Sequence, residues 1–260
     1  LALKKDVVAE DHIAHKKVVL VTGASRGIGA ATAIHLANQD YRVIVNYRSD
    51  EAGARKVLTQ IEANGGTALI YKADVTNGEE VSEMVHQGIR RFGTITSLVN
   101  NATSKIIPQD FKRLEWEDIE SHLIIQLKGS FNCTKAVMDE IVKNKGCVIN
   151  ISSIYADATP PPKLLGYAIA KSALQTFTKS LAVEFGPLGV RFNTVSPGMT
   201  DTGLIADVPE KIRLMTSAQT PLRKLAKPED IAGVVAFLLS EDAQHITGET
   251  LRVCGGSTMI

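Results

Sequence analysis

Tyr167 and Lys171 stand four positions apart. On a helix that spacing puts both side chains on one face, one turn apart. A phenol titrates near pH ~10 in water, and a cation held one turn away favours the phenolate and lowers that value. A tyrosine tuned in this way can pass a proton to or from a substrate oxygen near neutral pH. Ser152 and Ser153 lie a short way upstream, where a hydroxyl delivered from a neighbouring strand end would hold the same oxygen in place. Tyr-x-x-x-Lys also arises by chance on amphipathic helices, so the pair gains meaning from the elements that would position it.

Those elements begin with Val18-Val-Leu-Val21, a short apolar run that reads as a buried parallel strand. The turn Thr22-Gly23-Ala-Ser25-Arg26-Gly27-Ile28-Gly29 follows, then a helical pattern through Ala33, Leu36 and Ala37. Strand, glycine-rich turn and helix together aim backbone N–H groups and a helix N-terminus at a phosphate. Three glycines in a loop are a weak signal alone; the flanking strand and helix strengthen it. The pattern then repeats. Arg42–Asn46 is a second strand, 51–64 an amphipathic helix ended by Gly65-Gly66, and Ala68–Tyr71 a third strand. Thr76 or Asn77 caps the next helix, which carries Val81, Met84, Val85 and Ile89 on one face. Ser97-Leu-Val99 is a fourth strand, Ile231–Leu239 a buried helix, and Gly248–Val253 a last strand. This alternation, with no break in composition, predicts an α/β fold: a Rossmann-type doubly wound parallel sheet in three αβα layers, one domain over 16–260. Residues 1–15 are polar and read as a tail or linker.

Composition bounds the partners. The 260 residues are 44% hydrophobic and 22% charged, which places the chain among ordinary globular proteins. A net charge of +1 argues against nucleic acid or an anionic membrane surface as a partner. No apolar run approaches the ~18 residues of a membrane span, and the first residues lack a signal-peptide core. Cys133, Cys147 and Cys254 are scattered and odd in number, and read as reduced thiols of a cytoplasmic protein. His12, His15, His35, His86, His122 and His245 show no metal-ligand spacing, so no metal is expected. The chain starts at Leu1, which fits a processed chain or an excised domain.

The end of the second strand carries the cofactor preference. A carboxylate there would bond a ribose 2′-hydroxyl and favour NAD. The chain has Asn46, Tyr47, Arg48 and Ser49 instead, with Ser25 and Arg26 inside the glycine turn. Two guanidinium groups and a hydroxyl suit a 2′-phosphate, so NADP(H) is the expected cofactor. The competing reading makes Arg48 a solvated loop residue.

Thr22-Gly-x-x-x-Gly-x-Gly29, Asp74-Val75, Asn100-Asn-Ala102, Ser153, Tyr167-x-x-x-Lys171 and Pro197-Gly198 occur in this order. Together they resemble the short-chain dehydrogenase/reductase family, from about residue 16 to the end, and within it the 3-oxoacyl-acyl-carrier-protein reductases and related ketoreductases. The resemblance implies that Gly23, Gly27 and Gly29 shape a pyrophosphate turn beside Ile28, that Asp74 and Val75 flank the adenine, and that Asn100 and Ala102 line the cofactor cleft. It implies Tyr167 as general acid, Lys171 on the nicotinamide ribose and lowering the tyrosine pKa, and Ser153 as the substrate-binding serine. Pro197, Gly198 and Thr202 would meet the nicotinamide end, and 201–224 would form a mobile lid. A homotetramer, or a dimer, is also implied.

Two positions depart from the family. Thr103 stands where glycine is usual, and Gln126 where an asparagine helps hold a water of the proton relay; a slipped alignment or plain helix surface is the alternative for Gln126. On the substrate side, Pro160, Pro161 and Pro162 forbid a regular helix between Ser153 and Tyr167. Met199, Leu204 and Ile205 line an acyl pocket or pack the lid onto the body, and packing is the expectation. Lys143 and Lys145 could attract an acidic carrier protein, though exposed lysines are usually just solvated. Three functions compete: an NADPH-dependent ketoreductase of β-ketoacyl thioesters, carrier- or CoA-bound; the same chemistry on a sugar, steroid or small secondary alcohol; and a non-catalytic cofactor-binding homologue. Enoyl reductases of the family space tyrosine and lysine more widely.

Overall fold

Short β-branched runs favour extended backbone, and here they make seven strands. These are β1 (Val18–Val21), β2 (Arg42–Tyr47), β3 (Thr67–Lys72), β4 (Ser97–Asn100), β5 (Cys147–Ile151), β6 (Arg191–Pro197) and β7 (Thr250–Val253). All pair in parallel, in the order β3-β2-β1-β4-β5-β6-β7. The computed structural model describes residues 17–259, and the expected tail at 1–15 lies outside the described residues.

The helices between strands are α1 (Gly27–Ala37), α2 (Glu51–Ala63), α3 (Gly78–Phe92), α4 (Trp116–Leu123), α5 (Gly129–Lys143), α6 (Leu165–Phe185), α7 (Glu210–Gln219) and α8 (Pro228–Leu239). Successive strand residues point to opposite faces, and this sorts the core into two layers. Val19 and Val21 join Val43, Val45, Ile149 and Val195 against α1, α2 and α8. Val18 and Leu20 join Ile44, Leu98, Val148 and Phe192 against α3, α5 and the end of α6. The fold is the expected three-layer αβα sandwich.

Local chemistry sets the ends of the elements. Of the two candidate caps for α3, Asn77 does the work: its side chain accepts from the N–H groups of Glu79 and Glu80, while the Thr76 hydroxyl donates to Asp74. α2 stops at Ala63, and Gly65 takes φ 81°, the left-handed region open to glycine. No helix forms from Asp157 to Leu164, the three-proline segment. Between α4 and α5 the helix opens into one π turn (Ile124–Lys128), a feature frequent at functional sites. No helix of the described residues is long and apolar enough to cross a membrane.

The chain lays β2 and β3 to one side of β1, then returns to place β4 on the other. The loops leaving β1 and β4 therefore diverge, opening a crevice at the carboxyl ends of the strands. Phe192 is fully buried in the sheet beneath α6, with its ring centroid 6.0 Å from that of Phe185. Phe192→Ala should cost about 3–5 kcal/mol, read as a lower urea midpoint at unchanged m-value. A loss below about 1 kcal/mol would mean that this layer does not carry the core as described.

Candidate active site

The crevice forms a cleft of about 440 Å³. The structure brings most of the predicted cofactor residues into its walls: Gly23, Ser25, Arg26, Gly27 and Ile28 from the turn, Asn46, Tyr47, Arg48 and Ser49 from the end of β2, Asp74 and Val75 after β3, Ala102 after β4, and Thr202. Leu204 also lines it and stays exposed rather than packing onto the body, while Met199 and Ile205 are half-buried.

Close approach explains the glycines. Gly23 has φ +60°, and a Cβ there would sit 2.9 Å from Ala102 Cα; one on Gly29 would sit 2.6 Å from the Gly23 carbonyl oxygen. Side chains not foreseen as functional hold this turn. Asn101 Nδ2 donates to the carbonyls of Thr22 (2.9 Å) and Gly23 (3.1 Å), and Thr22 Oγ1 accepts from the N–H groups of Asn101 (2.9 Å) and Ala102 (3.1 Å). Asn101, not Asn100, stands in the cleft wall. Asn100 is turned into the sheet, where Nδ2 donates to Asn150 Oδ1 (2.8 Å) and Thr134 Oγ1 (3.1 Å). Strand alternation is the reason: Asn100 pairs in register with Asn150, so the two side chains share a face, and the next residue turns to the cleft.

Asn46 is likewise occupied. Its Oδ1 accepts from Gly23 N–H (3.1 Å) and its Nδ2 donates to Ala73 O (3.0 Å), so it shapes the turn and leaves its amide little capacity for a ligand. Arg26, Arg48 and Ser49 are exposed, and neither arginine makes an ion pair among the described residues. The nearest carboxylate in sequence, Asp50, is engaged: its Oδ1 accepts from Gly53 N–H (2.9 Å) as the cap of α2. Two cations thus face the end of β2 without a free acid between them, which fits a phosphate-bearing nucleotide.

Ser153, Tyr167 and Lys171 come together where β5 ends and α6 begins, all three buried. Lys171 Nζ donates to the Ile151 carbonyl at 2.7 Å, and Ser152 Oγ donates to the Lys171 carbonyl at 3.2 Å. Ser152 is therefore a strut, and Ser153 is the serine beside the phenol. The cause of the pKa shifts differs from the expectation. Burial pushes the Tyr167 phenol up to about 12, the neighbouring Ser153 hydroxyl pulls it down, and Tyr155 pushes it up. Burial drives Lys171 down to about 7. Lys171 lies with Nζ 5.7 Å from the Tyr167 ring centroid, but its own charge is disfavoured there, so it supplies no dominant pull on the phenol. Pro197 and Gly198 close β6, with the Gly198 N–H donating to Val253 O (3.0 Å); neither they nor Ser153, Tyr167 and Lys171 are in the walls of the 440 Å³ cleft.

Gln126 is buried in the π turn rather than on the helix surface. Its Nε2 donates to His122 Nδ1 at 3.2 Å, not to Lys171. His122 was noticed in the sequence only for lacking metal-ligand spacing; it lies edge-on to Tyr167, ring centroids 6.0 Å apart.

Comparison with known proteins decides the family. Residues 23–258 match a family model described as enoyl-(acyl carrier protein) reductase. The 3-oxoacyl-(acyl-carrier-protein) reductase of Staphylococcus epidermidis is 36% identical over 94% of this chain and 99% of its own length. The chain belongs to the short-chain dehydrogenase/reductase family. It is an oxidoreductase of CH–OH and C=O groups and takes a nicotinamide cofactor. Glucose 1-dehydrogenase 2 of Bacillus subtilis is 34% identical, over 94% of this chain and 95% of its own. The short-chain dehydrogenase/reductase structure from Serratia marcescens superposes with a TM-score of 0.87 at 31% identity, covering 94% of this chain and 98% of that one. The glycine turn, Tyr167 and Lys171 thus belong to a dehydrogenase/reductase scaffold.

In this short-chain dehydrogenase/reductase the buried Lys171 makes stability depend on pH. Its folded pKa of about 7 lies below its ordinary value of 10.5. Between those values the unfolded chain holds the Lys171 proton more than the folded one does, so the contribution of this group to stability rises with pH across the window. Lys171→Met should flatten that rise in urea unfolding between pH 7 and 10. An unchanged slope would contradict the burial argument.

Proposed function

We propose that the chain is an NADPH-dependent ketoreductase that reduces a β-ketoacyl thioester, carried on acyl carrier protein or CoA, to the 3-hydroxyacyl product. The observation that carries this is a buried, protonated phenol at Tyr167 beside the Ser153 hydroxyl, on a scaffold whose cofactor cleft carries Arg26 and Arg48, neither in an ion pair among the described residues. The residues fit the cofactor. The glycine turn would hold the pyrophosphate, Arg26, Arg48 and Ser49 the 2′-phosphate, Asp74 and Val75 the adenine, and Lys171 the nicotinamide ribose. Thr202, Pro197 and Gly198 would lie toward the nicotinamide end. The nicotinamide, when bound, supplies hydride to a carbonyl carbon.

The chain supplies the rest. Ser153 holds the carbonyl oxygen by a hydrogen bond. Tyr167 gives its proton to that oxygen as charge develops there, since an alkoxide is far more basic than a phenolate. With its pKa near 12 the phenol is protonated at neutral pH, the state a proton donor requires. The four-residue spacing of Tyr167 and Lys171 supports carbonyl over enoyl reduction, despite the family model's description.

A second reading, reduction or oxidation of a sugar or another secondary alcohol, is favoured by the glucose 1-dehydrogenase relative. The domain would span 16–260. Exposed Trp116, Phe131 and Ile169 on α4, α5 and α6 support association of copies, a homotetramer in our reading.

NADPH oxidation should be seen with acetoacetyl-CoA, with NADH much less effective. Arg48→Ala should raise the KM for NADPH about tenfold or more, the loss of one charge-assisted phosphate contact, and leave NADH nearly unchanged. Equal losses for both cofactors would remove Arg48 from phosphate reading. Turnover of a sugar and none of the thioester would favour the second reading.

A further inference from the structure

A polar cluster outside the Ser153–Tyr167–Lys171 group touches the same tyrosine. His122 is buried in α4. Its Nδ1 lies 2.8 Å from the Ser104 hydroxyl and 3.2 Å from Gln126 Nε2. With the Gln126 amide placed nitrogen-first, and an amide nitrogen only donating, Nδ1 is assigned as the unprotonated nitrogen, its one lone pair shared between the Ser104 hydroxyl and the amide, and the ring hydrogen sits on Nε2. Three elements meet at this ring. Ser104 belongs to the loop after β4 and lines the cofactor cleft. Gln126 comes from the π turn, and its Oε1 is buried without a partner, a cost that a purely structural position would have little reason to keep. The third element is α6. Gly166 lets the two helices close: a Cβ there would sit 3.2 Å from His122 Cδ2 and 3.2 Å from Ile119 Cα. The next residue is Tyr167, edge-on to the imidazole.

We propose that His122 is a positioning residue for Tyr167: as a neutral hydrogen-bond acceptor for Ser104 and Gln126, it ties the orientation of the phenol to the loop that lines the cofactor cleft. The charged and titratable groups around it are Lys171 and Tyr167 on α6 and Asp118 on its own helix. Burial and then Lys171 hold the imidazole below its ordinary 6.5, with Asp118 opposing. His122 therefore stays an acceptor at neutral pH. A proton on Nδ1, gained only on acidification, would turn the acceptor into a donor: the contact to the Gln126 amide nitrogen would be lost, and Ser104 would switch from donor to acceptor.

Two arms test this, and only the kinetic arm rests on the proposed ketoreductase reading. In the full chain with NADPH and acetoacetyl-CoA, His122→Phe keeps the ring edge and removes the acceptor. It should lower kcat on the order of tenfold, the cost of a slightly misplaced acid, with little change in NADPH affinity. His122→Asn supplies an acceptor that does not titrate, and should restore kcat and simplify the acid limb expected of the wild type, leaving only the step of Lys171 near pH 7. Wild-type kcat in His122→Phe, failure of His122→Asn to rescue, or an unchanged acid limb would each overturn the proposal. If His122→Phe does not fold, Ser104→Ala replaces it, and an unchanged kcat there overturns the proposal.

The second arm needs no substrate. In ¹⁵N NMR of the wild type at pH 7, His122 should be the neutral Nε2–H form, and Ser104→Ala should shift both the Nδ1 and the Tyr167 ring resonances. A protonated Nδ1, or a Tyr167 ring indifferent to Ser104→Ala, overturns the proposal even if no carbonyl is turned over. Absent turnover combined with the expected spectra would instead count against the ketoreductase reading alone.

Discussion

The site depends on the link between the end of β5 and the first turns of α6. Lys171 Nζ reaches back to the Ile151 carbonyl and Ser152 Oγ reaches forward to the Lys171 carbonyl. These two bonds tie the strand to the helix, and so fix Ser153, one residue beyond, against Tyr167, one helical turn before. A buried ammonium without a full counter-charge is costly. Here the group responds by losing its charge more readily, with a pKa near 7. The same burial keeps the phenol protonated. One constraint therefore sets both the geometry and the protonation states of the pair.

The cofactor side is built by a different device. The glycine turn after β1 is clamped by four hydrogen bonds from Thr22 and Asn101 and a fifth from Asn46. Its backbone is thereby pre-organised against the loop after β4, which continues to Ser104 and hence to His122. The two halves of the site, phosphate turn and tyrosine, are thus connected through packed polar groups as well as through the sheet.

Five of the seven strands, their parallel pairing and the placing of Tyr167 beside Lys171 were legible because buried parallel strands read as continuous apolar runs and because Tyr-x-x-x-Lys has a helical period; β5 and β6 and the order of the sheet were not. What was not legible depended on contacts across the fold. Asn100 and Asn101 are adjacent identical residues, and only the register with Asn150 shows which faces the cleft. Asn46 reads as a cofactor residue in the sequence because its bonds to Gly23 and Ala73 join segments 23 and 27 residues away. The expected Lys171 effect on Tyr167 followed from spacing, while the shifts follow from burial, which spacing does not encode. His122 gave almost no signal: its partner Ser104 is 18 residues away, and its approach to Tyr167 needs Gly166. The i, i+4 spacing of His122 and Gln126 was the one available clue.

The central claim is that Tyr167 donates the proton in carbonyl reduction. Its most direct test is Tyr167→Phe, measured for NADPH binding and for NADPH oxidation with acetoacetyl-CoA in the same preparation. Loss of a positioned general acid predicts a fall in kcat of about 10²–10⁴-fold at nearly unchanged NADPH affinity. Turnover within a few-fold of the wild type, with the cofactor bound normally, would contradict the assignment of Tyr167.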